Sequence, residues 1–232
     1  MLSGRSRRSA SGDLILRKGI LVGFGVLVAA GVHAQSMNID FNFAGLGSAP
    51  SSTYAAAGLA GFWNTANMTG NMVATMSLAD LSGAATAASL NVSVMLGNWT
   101  NTGSWTGDDL LLMEDAGGSI GQPVNFVGLL NGNYDVLAYG MSASGNVNSS
   151  FYIGSATQNT SGAWSGSHVL GGSYGLFSGI SVTNGTLQMG WVGNFNGLQL
   201  IYSPVPEPAT MAAMGLGLAA IAARRRRSSS GL

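Results

Sequence analysis

The chain has 232 residues, nine Lys or Arg against nine Asp or Glu, and no cysteine. The zero formal charge hides a segregation: every Lys and Arg lies before residue 19 or after residue 223, while residues 35–203 carry seven acids and no cation. A middle segment of formal charge −7 has no electrostatic footprint for nucleic acid or an anionic surface. Without cysteine its fold cannot rest on disulfides, and it is long enough for one domain with a real core.

The N-terminus has the layout of a secretory signal. Arg5, Arg7, Arg8, Arg17 and Lys18 form a basic region, and Gly19 to Gly31 is a thirteen-residue apolar run. Val32-His33-Ala34 is a small-x-small cleavage site, so cleavage is expected between Ala34 and Gln35. The Arg7-Arg8 pair raises the twin-arginine route, but Ser9-Ala10-Ser11 lacks the usual apolar and lysine continuation. An anchor that is never cut is the other alternative. The organisation expected is a signal peptide over 1–34, a β domain over 35–203, a sorting tail over 204–227 and a disordered end at 228–232.

From residue 35 the pattern is that of strands. Met37, Ile39, Phe41 and Phe43 alternate with polar residues, the period of a half-buried strand. Met72 to Leu78 and Leu90 to Leu96 repeat it. Further strands are expected over 124–127, 134–139, 151–153, 175–182, 187–192 and 198–202. Asn131-Gly132, Ser144-Gly145, Asn184-Gly185 and Asn196-Gly197 punctuate them, and Asn-Gly between alternating runs predicts hairpins. Short helical turns are expected at Ser51–Leu59 and Leu110–Asp115. About nine strands at this spacing predict an all-β protein, an antiparallel β-sandwich or jelly roll. An N-terminal signal helix and a short C-terminal apolar helix would flank it.

The chemistry-bearing inventory is thin. Two Gly-x-Ser-x-Gly strings occur, at 117–121 and 171–175. A nucleophile elbow needs a following helix and a later histidine, whereas the domain's one histidine, His168, precedes Ser173. His168 reads as a strand or rim residue, no catalytic residue is assigned, and the chain is not expected to be an enzyme. Asp108, Asp109, Glu114 and Asp115 are candidate Ca²⁺ ligands, since calcium takes carboxylates and loop carbonyls, although Thr106 to Leu112 does not match the D-x-D-x-D-G loop. The same four, as paired carboxylates, are what a glycoside hydrolase would need, but a solvated acidic loop accounts for them equally. Trp63, Trp99, Trp105 and Trp164 stand among small polar residues. Trp99 and Trp105, echoing each other in Asn98-Trp99-Thr100 and Ser104-Trp105-Thr106, are the candidate sugar-binding rings. Rings that pin loops to the core are the plainer reading. Trp191, alternating with Leu187 and Met189, is expected in the core. Six Asn-x-Ser/Thr sequons, from Asn67 to Asn184, read as composition and turns.

The chain closes on Val205-Pro206-Glu207-Pro208, an apolar run from Met211 to Ala223, and Arg224, Arg225, Arg226 and Arg227. The prolines hold Val205 and Glu207 extended and open to a processing enzyme. A helix from Ala209 to Ala223 would span about 22 Å, short of the ~30 Å hydrocarbon core. Four arginines would hold its end at a cytoplasmic surface. This tail resembles the PEP-CTERM sorting signal of Gram-negative bacteria. That resemblance implies recognition and cleavage near the motif by exosortase, transient residence in the inner membrane, and a place in the cell envelope or extracellular matrix linked to exopolysaccharide and biofilm. Phe126-Val127-Gly128-Leu129-Leu130-Asn131-Gly132-Asn133-Tyr134-Asp135-Val136 resembles a segment, F-x-G-L-x-x-G-x-Y-D-V, of jelly-roll domains in exported bacterial proteins. Asn196 to Leu200 resembles their closing strand. These domains are similar to galactose-binding-like modules. The expectation is a structural or adhesive envelope protein. A carbohydrate-binding module for the exopolysaccharide is the first alternative and a small secreted glycan-active enzyme the second.

Overall fold

The computed structural model describes residues 35–43, 48–68, 75–92, 97–100, 103–143 and 145–204, with 215, 216 and 218. The expected signal segment and nearly all of the tail lie outside them, as do residues 72–74 and 93–96 of two expected strands. The described chain is an all-β sandwich with one short helix. Its elements are β1 Met37–Phe43, β2 Trp63–Met68, β3 Met76–Ala79, β4 Ala85–Val92, β5 Gly97–Thr100, α1 Gly107–Met113, β6 Asp115–Val127, β7 Gly132–Tyr139, β8 Ser149–Ile153, β9 Ala156–Thr160, β10 Tyr174–Val182, β11 Thr186–Phe195 and β12 Gly197–Ser203.

One sheet has five strands in the order β10-β7-β12-β1-β2; the other has seven, β3-β4-β6-β11-β8-β9 with β5 also on β6. All pairings are antiparallel except β1 with β2. A parallel pair needs a long return connection, and residues 44–62 supply it.

Period-two alternation builds the core between the sheets. Met37, Ile39 and Phe41 of β1, Tyr134, Val136 and Ala138 of β7, and Leu198, Leu200 and Tyr202 of β12 face Leu90 and Val92 of β4, Val124 and Phe126 of β6, and Leu187, Met189 and Trp191 of β11. Trp191 is fully buried there, as its alternation predicts.

The turn signals act differently from the hairpin expectation. The links at 128–131, 140–148, 183–185 and residue 196 each carry the chain from one sheet to the other, so none closes a hairpin. The described hairpins are β3–β4, around Asp80–Ala84, and β8–β9, around Gly154-Ser155. At residue 196 there is no surface turn at all. β11 passes into β12 through one fully buried residue, Asn196, whose amide donates to the carbonyls of Met113 (3.1 Å) and Asp115 (2.6 Å) and accepts from the Met141 N–H (3.0 Å).

In the 126–136 segment the two glycines have separate physical reasons. Gly128 sits at φ +75, and a Cβ there would meet the Ala87 carbonyl oxygen at 2.2 Å; at Gly132 it would meet the Tyr202 ring at 2.3 Å. The helical turns expected at Ser51–Leu59 are two separate turns, closed by Tyr54 N–H to Ser51 O and Gly58 N–H to Ala55 O. The expected turn at Leu110–Asp115 is α1, shifted towards the N-terminus, and Asp115 already belongs to β6.

Candidate functional site

The outer face of the five-stranded sheet is where the domain's polar chemistry collects. Asn38, Asp40 and Asn42 alternate with the core residues of β1 and point to the other side, yet all three are buried, as are Asn64 and Gln199. Residues 48–62, α1 and the 161–173 loop form a cover on this face. Beneath it a second apolar cluster gathers Trp63, Trp105, Leu112, Met113, Leu137, Tyr139 and Met141, with Tyr54, Trp164 and Tyr174 packed against it.

Hydrogen bonds tie cover to sheet. Tyr139 donates to Gln199 Oε1 (2.5 Å) and accepts from the Ala57 N–H (2.9 Å). The Gln199 amide donates to Asn38 Oδ1 (2.8 Å) and to the Leu59 carbonyl (2.9 Å), which also accepts from Asn38 Nδ2 (3.0 Å). Asn64 holds β2 to β3 by exchanging two bonds with the Ala79 backbone, 2.8 Å each.

The cover is closed by a line of four side chains. Tyr54 donates to Asp109 Oδ1 (2.5 Å) and lies 2.7 Å from His168 Nε2; His168 Nδ1 lies 3.2 Å from Ser173 Oγ. The consistent assignment puts the imidazole proton on Nε2, pointing at the phenol oxygen, with Nδ1 accepting from Ser173. Burial holds His168 below its ordinary value, against the opposing pull of Asp109, so the ring is neutral at neutral pH. Burial, then the hydrogen bond to Asp109, raises the Tyr54 phenol.

Serine, histidine and a carboxylate thus come together although His168 precedes Ser173 in the chain, the reverse of the order a nucleophile elbow requires. The line is nonetheless built as a clasp. Ser173 is 1% exposed and its oxygen already accepts from the Val169 N–H at 3.0 Å. A nucleophile must approach a carbonyl to about 3 Å; in this arrangement the Ser173 hydroxyl is engaged by His168 and the Val169 N–H. His168, expected as a rim residue, is the centre of the clasp.

The four candidate calcium ligands diverge. Asp108 accepts from the N–H and hydroxyl of Ser51, 2.7 Å each, and Asp109 belongs to the clasp. Asp115 is buried near Asp40, while Glu114, its pKa raised by burial, is half-buried. Among the described residues no three of His, Cys, Asp and Glu are placed to hold a metal ion. Asp40, which the acidic-loop reading passed over, is 1% exposed, has no partner for Oδ1, and is raised well above the carboxylate range by burial, then by Asp115 and Glu114.

Of the candidate sugar-binding rings, Trp105 is 3% exposed and packs 6.3 Å from the Trp164 ring, so no flat face is offered to solvent. The side chain of Trp99 lies outside the described residues; its backbone pairs with Ala116 on β6. Trp63 is also buried and donates to the Tyr54 carbonyl at 3.2 Å.

The remaining site is the tail, whose point of departure is well described. β12 lies between β7 and β1 in the five-stranded sheet and ends at Ser203, after which Pro204 is exposed. Beside it, the Tyr202 N–H donates to Ser36 Oγ at 3.0 Å. Residues 204–227 match the PEP-CTERM protein-sorting motif. The chain carries an exosortase sorting signal. No curated protein and no solved structure matches the chain. The PEP-CTERM motif marks it for exosortase-dependent sorting to the cell envelope or exterior, with exosortase as processing partner and a transient membrane anchor at the C-terminal end. Among the described residues no helix is long and apolar enough to cross a membrane.

Proposed function

We propose that this is a structural or adhesive protein of the outer envelope or extracellular matrix, associated with exopolysaccharide and without catalytic activity of its own. The observation that carries this reading is the sorting motif at 204–227, joined by Pro204 to the end of a closed β-sandwich. A disulfide-free fold and a domain without Lys or Arg are compatible with such a role. Links at 128–131, 140–148, 161–173, 183–185 and residue 196 cross between the sheets and support reading the sandwich as jelly-roll-like, in keeping with the 126–136 segment. The burial of Ser173 supports a non-catalytic role. The sequence-based order of events is export by the signal segment, retention by the tail, and cleavage near Pro206–Pro208.

Intact mass of the protein recovered from the native envelope and medium tests this. The expected species begins at Gln35 and ends within 206–208. A species that keeps Arg224 to Arg227 would sink the processing scheme and leave a plain membrane tether.

A second reading, a carbohydrate-binding module, has its own supporting observation. The outer face of the seven-stranded sheet carries a shallow groove lined by Thr75, Asn91, Asn125, Val127, Thr186 and Gln188. Asn91, Asn125 and Gln188 stand side by side on β4, β6 and β11, with Gln188 Nε2 donating to Asn125 Oδ1 at 2.8 Å. A row of amides suits the paired hydroxyls of a neutral polysaccharide. Retention on a glycan panel, lost in an Asn125→Ala, Gln188→Ala variant, would favour this reading. Absence of retention on every glycan would leave the structural one.

A further inference from the structure

The sandwich has two ends, and chain direction assigns every link to one of them. β1 runs from Met37 to Phe43, and β12 returns antiparallel beside it, Met37 pairing with Leu200 and Asp40 with Gly197. Residues 35–36 and 203–204 therefore leave the same end of the same sheet on neighbouring strands. The Tyr202 N–H to Ser36 Oγ bond fixes that adjacency. The links at 128–131 and 183–185 and the turn at 80–84 are at this end too. Leu81 N–H donates to the Ser36 carbonyl (3.1 Å), Phe62 N–H to the Leu81 carbonyl (2.8 Å), and Leu130 N–H to Gln35 Oε1.

Each end exposes an apolar set. Phe62, Val127 and Leu130 are at the end the tethers leave from; Val147, Val169 and Leu170 are at the other. The first set is 43–46% exposed and the second 39–54%, so exposure does not choose between them. Tether length does. Ala209, where the expected tail helix begins, lies six positions beyond Ser203, and Gly31 lies four positions before Gln35. At about 3.3–3.6 Å per extended residue the tail reaches at most about 22 Å and the N-terminal link about 14 Å. The eight residues of β7 alone put the far end roughly 24 Å further away.

We propose that the end carrying Phe62, Val127 and Leu130 is the membrane-facing end and rests its apolar residues on the lipid surface while the tail is uncut. The proposal rests on the sorting reading of 204–227. The contact is apolar in kind, because residues 35–203 hold no Lys or Arg to attract anionic headgroups. Cleavage within 206–208 then takes place three to five residues from the sheet, with the domain seated against the bilayer. It releases the near end's set from the lipid surface, while the far end's set is clear of lipid throughout.

The absence of native cysteine makes the test clean. The full-length chain, as Leu130→Cys, Val169→Cys or Leu216→Cys, is labelled with an environment-sensitive fluorophore and reconstituted in phosphatidylcholine vesicles. These contain either a headgroup or an acyl-chain nitroxide lipid. Leu130 and Val169 are surface positions, and the thermal melt of each variant reports that the fold is intact. The expected result is headgroup-nitroxide quenching several-fold stronger at 130 than at 169, with position 216 quenched by the acyl-chain nitroxide. Quenching at 216 with 130 no stronger than 169 overturns the seating and leaves the sorting signal standing. No quenching at 216 takes the tail out of the bilayer and overturns both.

Discussion

Asp40 is a buried carboxyl in a domain that contains no Lys or Arg to neutralise it. Burial and the neighbouring Asp115 and Glu114 raise its pKa well above the ordinary carboxylate value. A group that binds its proton more tightly when folded favours the fold below its unfolded pKa, and that stability is lost as pH rises through the folded pKa. His168 has the opposite slope. Its pKa is lowered by burial, so its contribution is present above the ordinary imidazole value and is lost as pH falls below about 6.5. Urea midpoints across pH 4–9 separate the two. Asp40→Asn is expected to raise stability on the alkaline side by on the order of 1–2 kcal/mol, with little change at pH 4. His168→Gln is expected to flatten the acid limb. An unchanged alkaline limb in Asp40→Asn would mean that Asp40 is not the group responsible. None of this was legible in sequence, where Asp40 is one polar residue in an alternating strand.

The cover layer is the element the sequence concealed most thoroughly. Alternation along β1, β7, β11 and β12 is readable because one face of each strand meets a core of Phe, Leu, Met and Trp. The other face is polar and reads as the open side of a half-buried strand, yet Asn38, Asp40, Asn64 and Gln199 are buried there by segments with no apolar period. The same blindness hid β2, β5 and β9. β9, Ala-Thr-Gln-Asn-Thr, has no apolar face to read, and β2 mixes Asn and Thr with Trp and Ala. Turn residues likewise marked where the chain reverses, since Gly128 and Gly185 need positive φ. They carried no information on which sheet receives the next strand. Tyr54→Phe tests the cover. It removes the hydroxyl that joins Asp109 to His168 and is expected to cost about 1–2 kcal/mol. Amide exchange should quicken over 161–173 and 51–59 while β1, β7 and β12 stay protected. Uniform acceleration would make the cover part of one cooperative unit.

At the scale of the whole molecule, net charge and chain ends govern behaviour. Seven acids without a Lys or Arg repel one another, so screening is expected to help the fold. The urea midpoint should hold or rise between 10 and 300 mM NaCl; a fall would require attractive ion pairs that residues 35–203 lack the cations to make. Gln35, the expected first residue after cleavage, is 3% exposed, its amide donating to Gly128 O (3.1 Å) and accepting from Tyr134 OH (2.6 Å). Signal peptidase needs that junction extended and open. A folded precursor should therefore resist cleavage in vitro, whereas chain held unfolded in urea and diluted into enzyme is cut. Equal rates would show that β1 detaches readily. The interior position of β12 has a mechanical corollary. A pull on the tail, with the far end of the domain gripped by surrounding matrix, runs along the strand. It loads the ladders to β1 and β7 in shear, many hydrogen bonds at once, instead of peeling them open singly. The attachment strand is thus placed where the sandwich is hardest to tear.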